Sequence, residues 1–145
     1  MTAAYLYAVR TPFGQLNGAL AGVRPDDLAS YVIKALLDRH PHLDGGAIDE
    51  VIFGNANGPG EDNRNLGRMA GLLAGLPVTV PATTVNRLCG SSLDAAMIAS
   101  RSIETGDADV MIAGAESMTR SPWVLMKPDN PFPVGDNTAV STALS

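Results

Sequence analysis

The chain has 145 residues, a formal net charge of −5 at pH 7 and 46% hydrophobic residues. These values are typical of one globular domain with a substantial core, and they exclude a disordered chain. The acidic balance, with no run of Lys and Arg, argues against a nucleic-acid partner. The longest apolar region, residues 69–85, is interrupted by two glycines and two prolines, so no membrane span is predicted. The first residues lack the basic start and apolar core of a secretory signal.

A single cysteine, Cys89, is present. It excludes an intramolecular disulfide and a metal site built from several cysteines. One free thiol is typical of a reducing compartment, so we expect a cytoplasmic protein. The two histidines, His40 and His42, flank a proline at a predicted helix end, and we interpret them as surface residues.

The first half of the chain predicts two strands and two helices. Residues 3–9, AAYLYAV, are predicted as a buried strand. The clearest helix covers residues 24–41, where Leu28, Val32 and Leu36 recur every four residues. A second strand over residues 51–53 is followed by a long polar loop and a second helix over residues 64–76.

The second half continues the alternation. We predict a third strand near residues 83–85, a third helix over residues 91–104 that Gly106 ends, and a fourth strand over residues 109–113 that closes at Gly114. After Arg120 the sequence has four prolines and no periodicity. The order β-α-β-α-β-α-β predicts an α/β fold with a mixed, mostly parallel sheet and helices on both faces.

Cys89 is placed where the third strand leads into the third helix. The first amides of a helix have no intrahelical partners, and with the helix dipole they favour a thiolate. Gly90 leaves room for a substrate carbonyl, and the N–H of Cys89 itself could face an oxyanion. Asp94, in the first helical turn, would work slightly against the thiolate. These observations favour a nucleophile, while a small buried hydrophobe is the common alternative for a lone cysteine.

The segment TTVNRLCGSSLDAAMIAS, residues 83–100, resembles the nucleophile segment of thiolases, the acetyl-CoA acetyltransferase and 3-oxoacyl-CoA acyltransferase family. The stretch AGAESM, residues 113–118, is one residue shorter than the corresponding stretch in thiolases. Further stretches resemble thiolase N-terminal segments in the family order: RTPFG (10–14), RPDDL (24–28), VIFGNA (51–56), GEDNRN (60–65), AGLP (74–77) and IAGAESMTRSPW (112–123).

The resemblance implies an acyltransferase of fatty acid metabolism. Cys89 would be the catalytic nucleophile and form an acyl-thioester with 3-oxoacyl-CoA or acetyl-CoA. The acyl group would pass to CoA or to a second acetyl-CoA. Coenzyme A would be a substrate, and no metal or resident cofactor would be needed. The expected assembly is a homodimer or homotetramer.

The histidine and second cysteine that thiolases carry in their second half have no counterpart motifs in this sequence. We therefore expect the chain to be the first half of a thiolase that needs a separate C-terminal half. Residues 1–120 would form the half-domain core, and residues 121–145 would begin the loop region that covers CoA. Asn63 and Arg64 would lie in a subunit contact. A non-catalytic interaction or dimer module and a fragment of a ketoacyl-synthase-like condensing enzyme are the alternatives.

Overall fold

The computed structural model describes residues 6–58, 65–115, 123–125 and 139–141. It confirms an α/β fold in which a parallel sheet is combined with helices. The elements in chain order are α1 (Pro25–Arg39), a 3₁₀ turn (Gly45–Ala47), β1 (Glu50–Gly54), α2 (Leu66–Leu73), β2 (Ala82–Val85), α3 (Ser91–Thr105), β3 (Met111–Ala115), β4 (Trp123–Leu125) and β5 (Ala139–Ser141).

The main sheet has three parallel strands in the order β2-β1-β3. In the central strand, Val51 lies opposite Ala82 on one side and opposite Ile112 on the other. Parallel neighbours need crossover connections, and here α2 links β1 to β2 while α3 links β2 to β3. The continuous apolar run of β1 suits this position because both of its faces are covered.

Helices pack on both faces of the sheet. Val51 and Phe53 belong to the main core, which also contains Ile33 of α1 and the α2 residues Leu66 and Ala70. Since successive side chains of a strand alternate between faces, the residues between them face the other layer. That layer is α3, which packs against β1 and β3 and buries Ala95 and Ala99.

The three predicted helices are present with bounds close to those expected. Pro25 begins α1 and Arg39 ends it, as the sequence pattern predicts. Helix α3 ends at Gly106, whose φ of 79° is left-handed and whose amide donates to the carbonyls of the last turn. The predicted strands over residues 51–53 and 83–85 are confirmed as β1 and β2.

The first predicted strand is wrong where the structure describes it. Residues 6–9 form no strand, and Leu6 and Tyr7 are 92% and 59% exposed. The ring of Tyr7 lies 4.0 Å from that of His40, centroid to centroid, at the end of α1. An apolar run indicates that a segment could form a strand, but whether it pairs with a neighbouring strand is decided by the tertiary structure. Residues 3–5 of this prediction lie outside the described residues.

The fourth predicted strand is shifted by two residues. The structure places β3 at Met111–Ala115 because the amides of Asp109 and Val110 donate instead to the Asp49 carboxylate, at 2.7 and 3.0 Å. Gly114 does not end the strand. It lies opposite Phe53, and a Cβ there would approach the phenyl ring to 2.5 Å.

Strands β4 and β5 were not predicted. They pair antiparallel, with Val124 opposite Val140. Three-residue strands are too short to show a period of two, and their partner is distant in sequence, so periodicity cannot reveal them. Among the helices in the described ranges, none is long and apolar enough to cross a membrane.

Candidate active site

Cys89 lies in a tight turn between β2 and α3. Strand β2 ends at Val85, and α3 begins at Ser91 with Gly90 as its N-cap residue. The thiol is free and exposed. The predicted strand–turn–helix junction is therefore present, and the alternative of a small buried hydrophobe is wrong for this residue.

The residue before the cysteine has an unusual backbone conformation. Leu88 has a φ of +48°, one of two positive values at non-glycine residues in the described part of the chain. Its N–H donates to Oδ1 of Asn86 at 2.9 Å. Its carbonyl accepts a hydrogen bond from the Ser91 hydroxyl at 2.6 Å. Two side chains thus hold the peptide groups on either side of the Leu88 Cα.

The buried side chain of Ser91 links two backbone groups of the turn. Its Oγ also accepts a hydrogen bond from the Arg87 N–H at 2.8 Å. The Gly90 N–H donates to the Arg87 carbonyl at 3.0 Å, and the Ser91 N–H donates to the Leu88 carbonyl at 3.1 Å. Within the described residues, the N–H of Cys89 has no protein acceptor.

The turn is also tied to the end of β1. Nδ2 of Asn86 donates to the Ala56 carbonyl at 3.2 Å, and the Asn55 N–H donates to the Val85 carbonyl at 2.9 Å. Asn55 is buried, and its Oδ1 accepts from the Asn57 N–H at 3.0 Å. Both loops leave the carboxyl edge of the parallel sheet, which is where α/β proteins place their ligands.

A second polar cluster anchors β2, the strand that leads into the turn. The Thr84 hydroxyl donates to Oδ1 of Asn65 at 2.8 Å and accepts from the Gly67 N–H at 3.0 Å. Nδ2 of Asn65 donates to the Ala82 carbonyl at 3.2 Å, while its Oδ1 caps α2 by accepting from the Arg68 N–H. The start of α2 is thereby fixed to β2.

One ion pair spans the turn that contains Cys89. Nε of Arg87 lies 3.5 Å from a carboxylate oxygen of Asp94; the two side chains are 67% and 14% exposed, respectively. Asp94 was expected to oppose a thiolate at Cys89. The guanidinium of Arg87 partly offsets that negative charge.

Sequence reasoning identified Cys89 but missed Asn86 and Ser91 as the residues that shape its turn. The signal for Asn86 was available, because Asn side chains often bond the backbone two residues on and so form a turn. The role of Ser91 depends on its burial, which the local sequence does not reveal.

The two histidines of the sequence do not join this site. His40 caps the end of α1, on the face of the sheet opposite α3, and its ring contacts Tyr7. His42 is exposed. Asn63 and Arg64 lie outside the described residues. In the part of the chain that the structure describes, no three His, Cys, Asp or Glu side chains are grouped to hold a metal.

Comparison with known proteins agrees with the fold and with the Cys89 segment. The family model described as "Thiolase, N-terminal domain" matches residues 5–144. The chain therefore belongs to the thiolase family, as the resemblance of its motifs predicted.

Individual members of the thiolase family are similar to this chain in sequence. The chain is 58% identical over 126 residues to the beta-ketoadipyl-CoA thiolase of Acinetobacter baylyi, covering 86% of this chain and 31% of that protein. It is 56% identical over 125 residues to the 3-oxoadipyl-CoA/3-oxo-5,6-dehydrosuberyl-CoA thiolase of Escherichia coli K12, with the same two coverages. The chain thus spans about a third of the length of these relatives.

A solved structure has the same fold. The acetyl-CoA acetyltransferase of Bacillus anthracis superposes with a TM-score of 0.77 at 34% sequence identity. The match covers 89% of this chain and 33% of the other.

Proposed function

We propose that this chain carries the nucleophile of a thiolase-type acyltransferase and that the nucleophile is Cys89. The observation that carries the proposal is the exposed thiol at the start of α3, in a chain matched to the thiolase N-terminal domain.

The proposed reaction has two half-steps. The Cys89 thiolate attacks the 3-oxo carbon of a 3-oxoacyl-CoA, and the C2–C3 bond breaks. The electron pair of that bond takes a proton and leaves as acetyl-CoA, while the acyl group remains as a thioester on Cys89. The thiol of CoA then attacks the thioester, which releases acyl-CoA and frees the cysteine. In the reverse direction, acetyl-CoA acylates Cys89 and a second acetyl-CoA is the acyl acceptor.

The exposed amide of Cys89 supports this chemistry. During each half-step the attacked carbonyl oxygen becomes negatively charged, and an N–H without a protein acceptor can stabilise it. The proton transfers of both half-steps require further groups. We propose that a C-terminal part of the thiolase supplies them.

The substrate class follows from the relatives. Both relatives described above are named for the 3-oxoadipyl or beta-ketoadipyl thioester. The acyl chain of this thioester ends in a free carboxylate. We therefore propose 3-oxoadipyl-CoA as the substrate, with acetyl-CoA and succinyl-CoA as the products. Another relative, named 3-ketoacyl-CoA thiolase, from Aliivibrio salmonicida, is 45% identical. A 3-ketoacyl-CoA without the terminal carboxylate is therefore the substrate to compare with 3-oxoadipyl-CoA.

The setting of the enzyme is part of the same proposal. An exposed free thiol functions in a reducing compartment, which favours the cytoplasm. Leu88 and Leu93, on either side of the nucleophile, are 71% and 65% exposed, which supports contact with a further thiolase segment or subunit. We propose a homo-oligomeric enzyme in which residues 121–145 begin the cover over CoA.

Acyl-enzyme trapping tests the proposal. The chain is mixed with the C-terminal two thirds of the Acinetobacter baylyi relative and incubated with 3-oxoadipyl-CoA. Mass spectrometry of the tryptic peptide 88–101 is expected to show a succinyl adduct on Cys89. The Cys89→Ser variant, which keeps a hydroxyl in place of the thiol, should show no adduct and no acetyl-CoA release.

The same experiment separates the alternatives. Absence of an adduct with every acyl-CoA offered, from a mixture that forms a stable complex, would favour a non-catalytic interaction module. An adduct obtained only from acyl carrier protein thioesters would favour a ketoacyl-synthase-like enzyme.

A further inference from the structure

The backbone of Leu88 is held in a conformation that leucine avoids. A φ of +48° places the Cβ of an L-residue close to its own backbone, and only Gly, Asn and Asp adopt it readily. Leu88 gains little from side-chain packing in return, since its side chain is 71% exposed. The conformation must therefore be held by other contacts, and such strain is often found at functional sites.

Two side chains supply those contacts. Oδ1 of Asn86 accepts from the Leu88 N–H at 2.9 Å, and the Ser91 hydroxyl donates to the Leu88 carbonyl at 2.6 Å. Ser91 is itself immobilised, because it is buried and accepts from the Arg87 N–H. Asn86 is anchored through its Nδ2 to the Ala56 carbonyl, in the loop after β1.

We propose that Asn86 and Ser91 are positioning residues that hold Leu88 left-handed and thereby direct the side chain of Cys89. The inference rests on the proposed role of Cys89 as the nucleophile. The direction of the cysteine Cα–Cβ bond follows from the orientation of the peptide that joins it to Leu88. If Leu88 relaxes to an ordinary φ, that peptide rotates and the Cα–Cβ bond of Cys89 changes direction.

The proposal makes a specific prediction about glycine. Glycine adopts positive φ without the Cβ penalty, so a chain with glycine at position 88 needs the two side-chain contacts less. Leu88→Gly should then rescue a variant that has lost one of them. A serine or asparagine that only contributed to overall stability would not be rescued in this way.

The test measures how fast Cys89 reacts with iodoacetamide across a pH series, using the 145-residue chain. Ser91→Ala and Asn86→Ala are expected to slow alkylation about fivefold at pH 7, since each loses one contact that holds a strained residue. Asn86→Ala is paired with the double variant Leu88→Gly/Asn86→Ala, which should react within about twofold of Leu88→Gly alone. Ser92→Ala is the matched control, because its hydroxyl makes no hydrogen bond within the described residues.

The double variant Leu88→Gly/Ser91→Ala decides the mechanism. It is expected to react within about twofold of Leu88→Gly alone and to have the same pH profile. Alkylation of Ser91→Ala and Asn86→Ala within about twofold of the unchanged chain would overturn the proposal. Failure of Leu88→Gly to restore the Ser91→Ala rate would overturn it as well.

The design remains decisive if one variant folds poorly. Circular dichroism reports folding. If Ser91→Ala unfolds, the exposed residue Asn86 carries the test through Asn86→Ala and its double variant with Leu88→Gly. Failure of the proposed function would be distinguishable from failure of this inference. In that case the alkylation rates would follow the expected pattern, but no acyl adduct would form from any acyl-CoA in the reconstituted mixture.

Discussion

Gly54, the last residue of β1, is in such close contact with the start of α3 that a Cβ on it would lie 2.2 Å from the carbonyl carbon of Ser91. The neighbouring Ser92 nitrogen would also be 2.2 Å away. Backbone rather than a flexible side chain occupies this space. Because residue 54 has no side chain, α3 can approach the sheet this closely. Gly54 therefore sets the distance between β1 and the helix that follows the Cys89 turn.

Gly54→Ala is expected to destabilise the protein by about 3 kcal/mol, because the methyl group must displace the backbone of α3. Urea unfolding followed by circular dichroism measures the change. Gly22→Ala is the matched control, since a Cβ there would meet nothing within 4 Å. The control should stay within about 0.5 kcal/mol of the unchanged chain. Equal stability of the two variants would contradict the packing described here.

Asp26 is predicted to contribute a pH-dependent part of the stability. The side-chain hydrogen bond from Arg24 is the main cause that holds the pKa of Asp26 below its ordinary value of 3.8, aided by the Arg24 charge and opposed by burial. A lowered folded-state pKa means that the stabilisation is present above pH 3.8 and is lost as the pH falls through the folded-state value.

Asp26→Asn should therefore remove the part of the acid destabilisation that occurs below about pH 4. At pH 7 it should cost about 1–3 kcal/mol, because the amide replaces a charge-assisted partner of Arg24 in a buried position. Urea unfolding at a series of pH values gives both quantities. The control is Asp27→Asn, an exposed acidic residue of the same helical turn. If the two variants have parallel pH curves, the Arg24 hydrogen bond is not the cause.

Thr84→Val is expected to cost about 1–3 kcal/mol, since the isosteric change removes one hydroxyl from the cluster that joins β2 to α2. The Gly67 N–H and Asn65 Oδ1 would each lose a partner. Thr84→Ser keeps the hydroxyl and should retain most of the stability. Thermal unfolding of both variants is the measurement, and a valine variant as stable as the serine variant would show that the cluster is dispensable.

The charges of Arg87 and Asp94, on the turn that contains Cys89, are expected to change the rate at which Cys89 reacts. Arg87→Gln should slow iodoacetamide alkylation at pH 7 about two- to threefold, and Asp94→Asn should accelerate it by a similar factor. Because Arg87 is largely exposed, both effects should shrink as salt is raised to about 1 M. Rates measured at low and high salt test this. Changes of the same sign in both variants would contradict an electrostatic origin.

The local elements of this protein were largely predictable from its sequence. The four-residue apolar repeat of α1, with Pro25 at its start, defined that helix within one or two residues. The pattern from Thr83 to Gly106 correctly predicted a strand, a turn at Cys89 and a helix. These signals are local, because they arise from backbone propensity, capping and periodicity within a few residues.

Other features of the fold depend on contacts between segments that are distant in the sequence. The segment around Leu6 has an apolar pattern but pairs with no strand in the described residues, and β3 continues through Gly114, which lies opposite Phe53 of β1. The conformation of Leu88 is a similar case, since the buried Ser91 and the anchored Asn86 determine its φ. The sequence alone identified the thiol that could react, whereas the folded chain decided how that thiol is presented, because its direction depends on hydrogen bonds that form only when β1, β2 and α3 pack together.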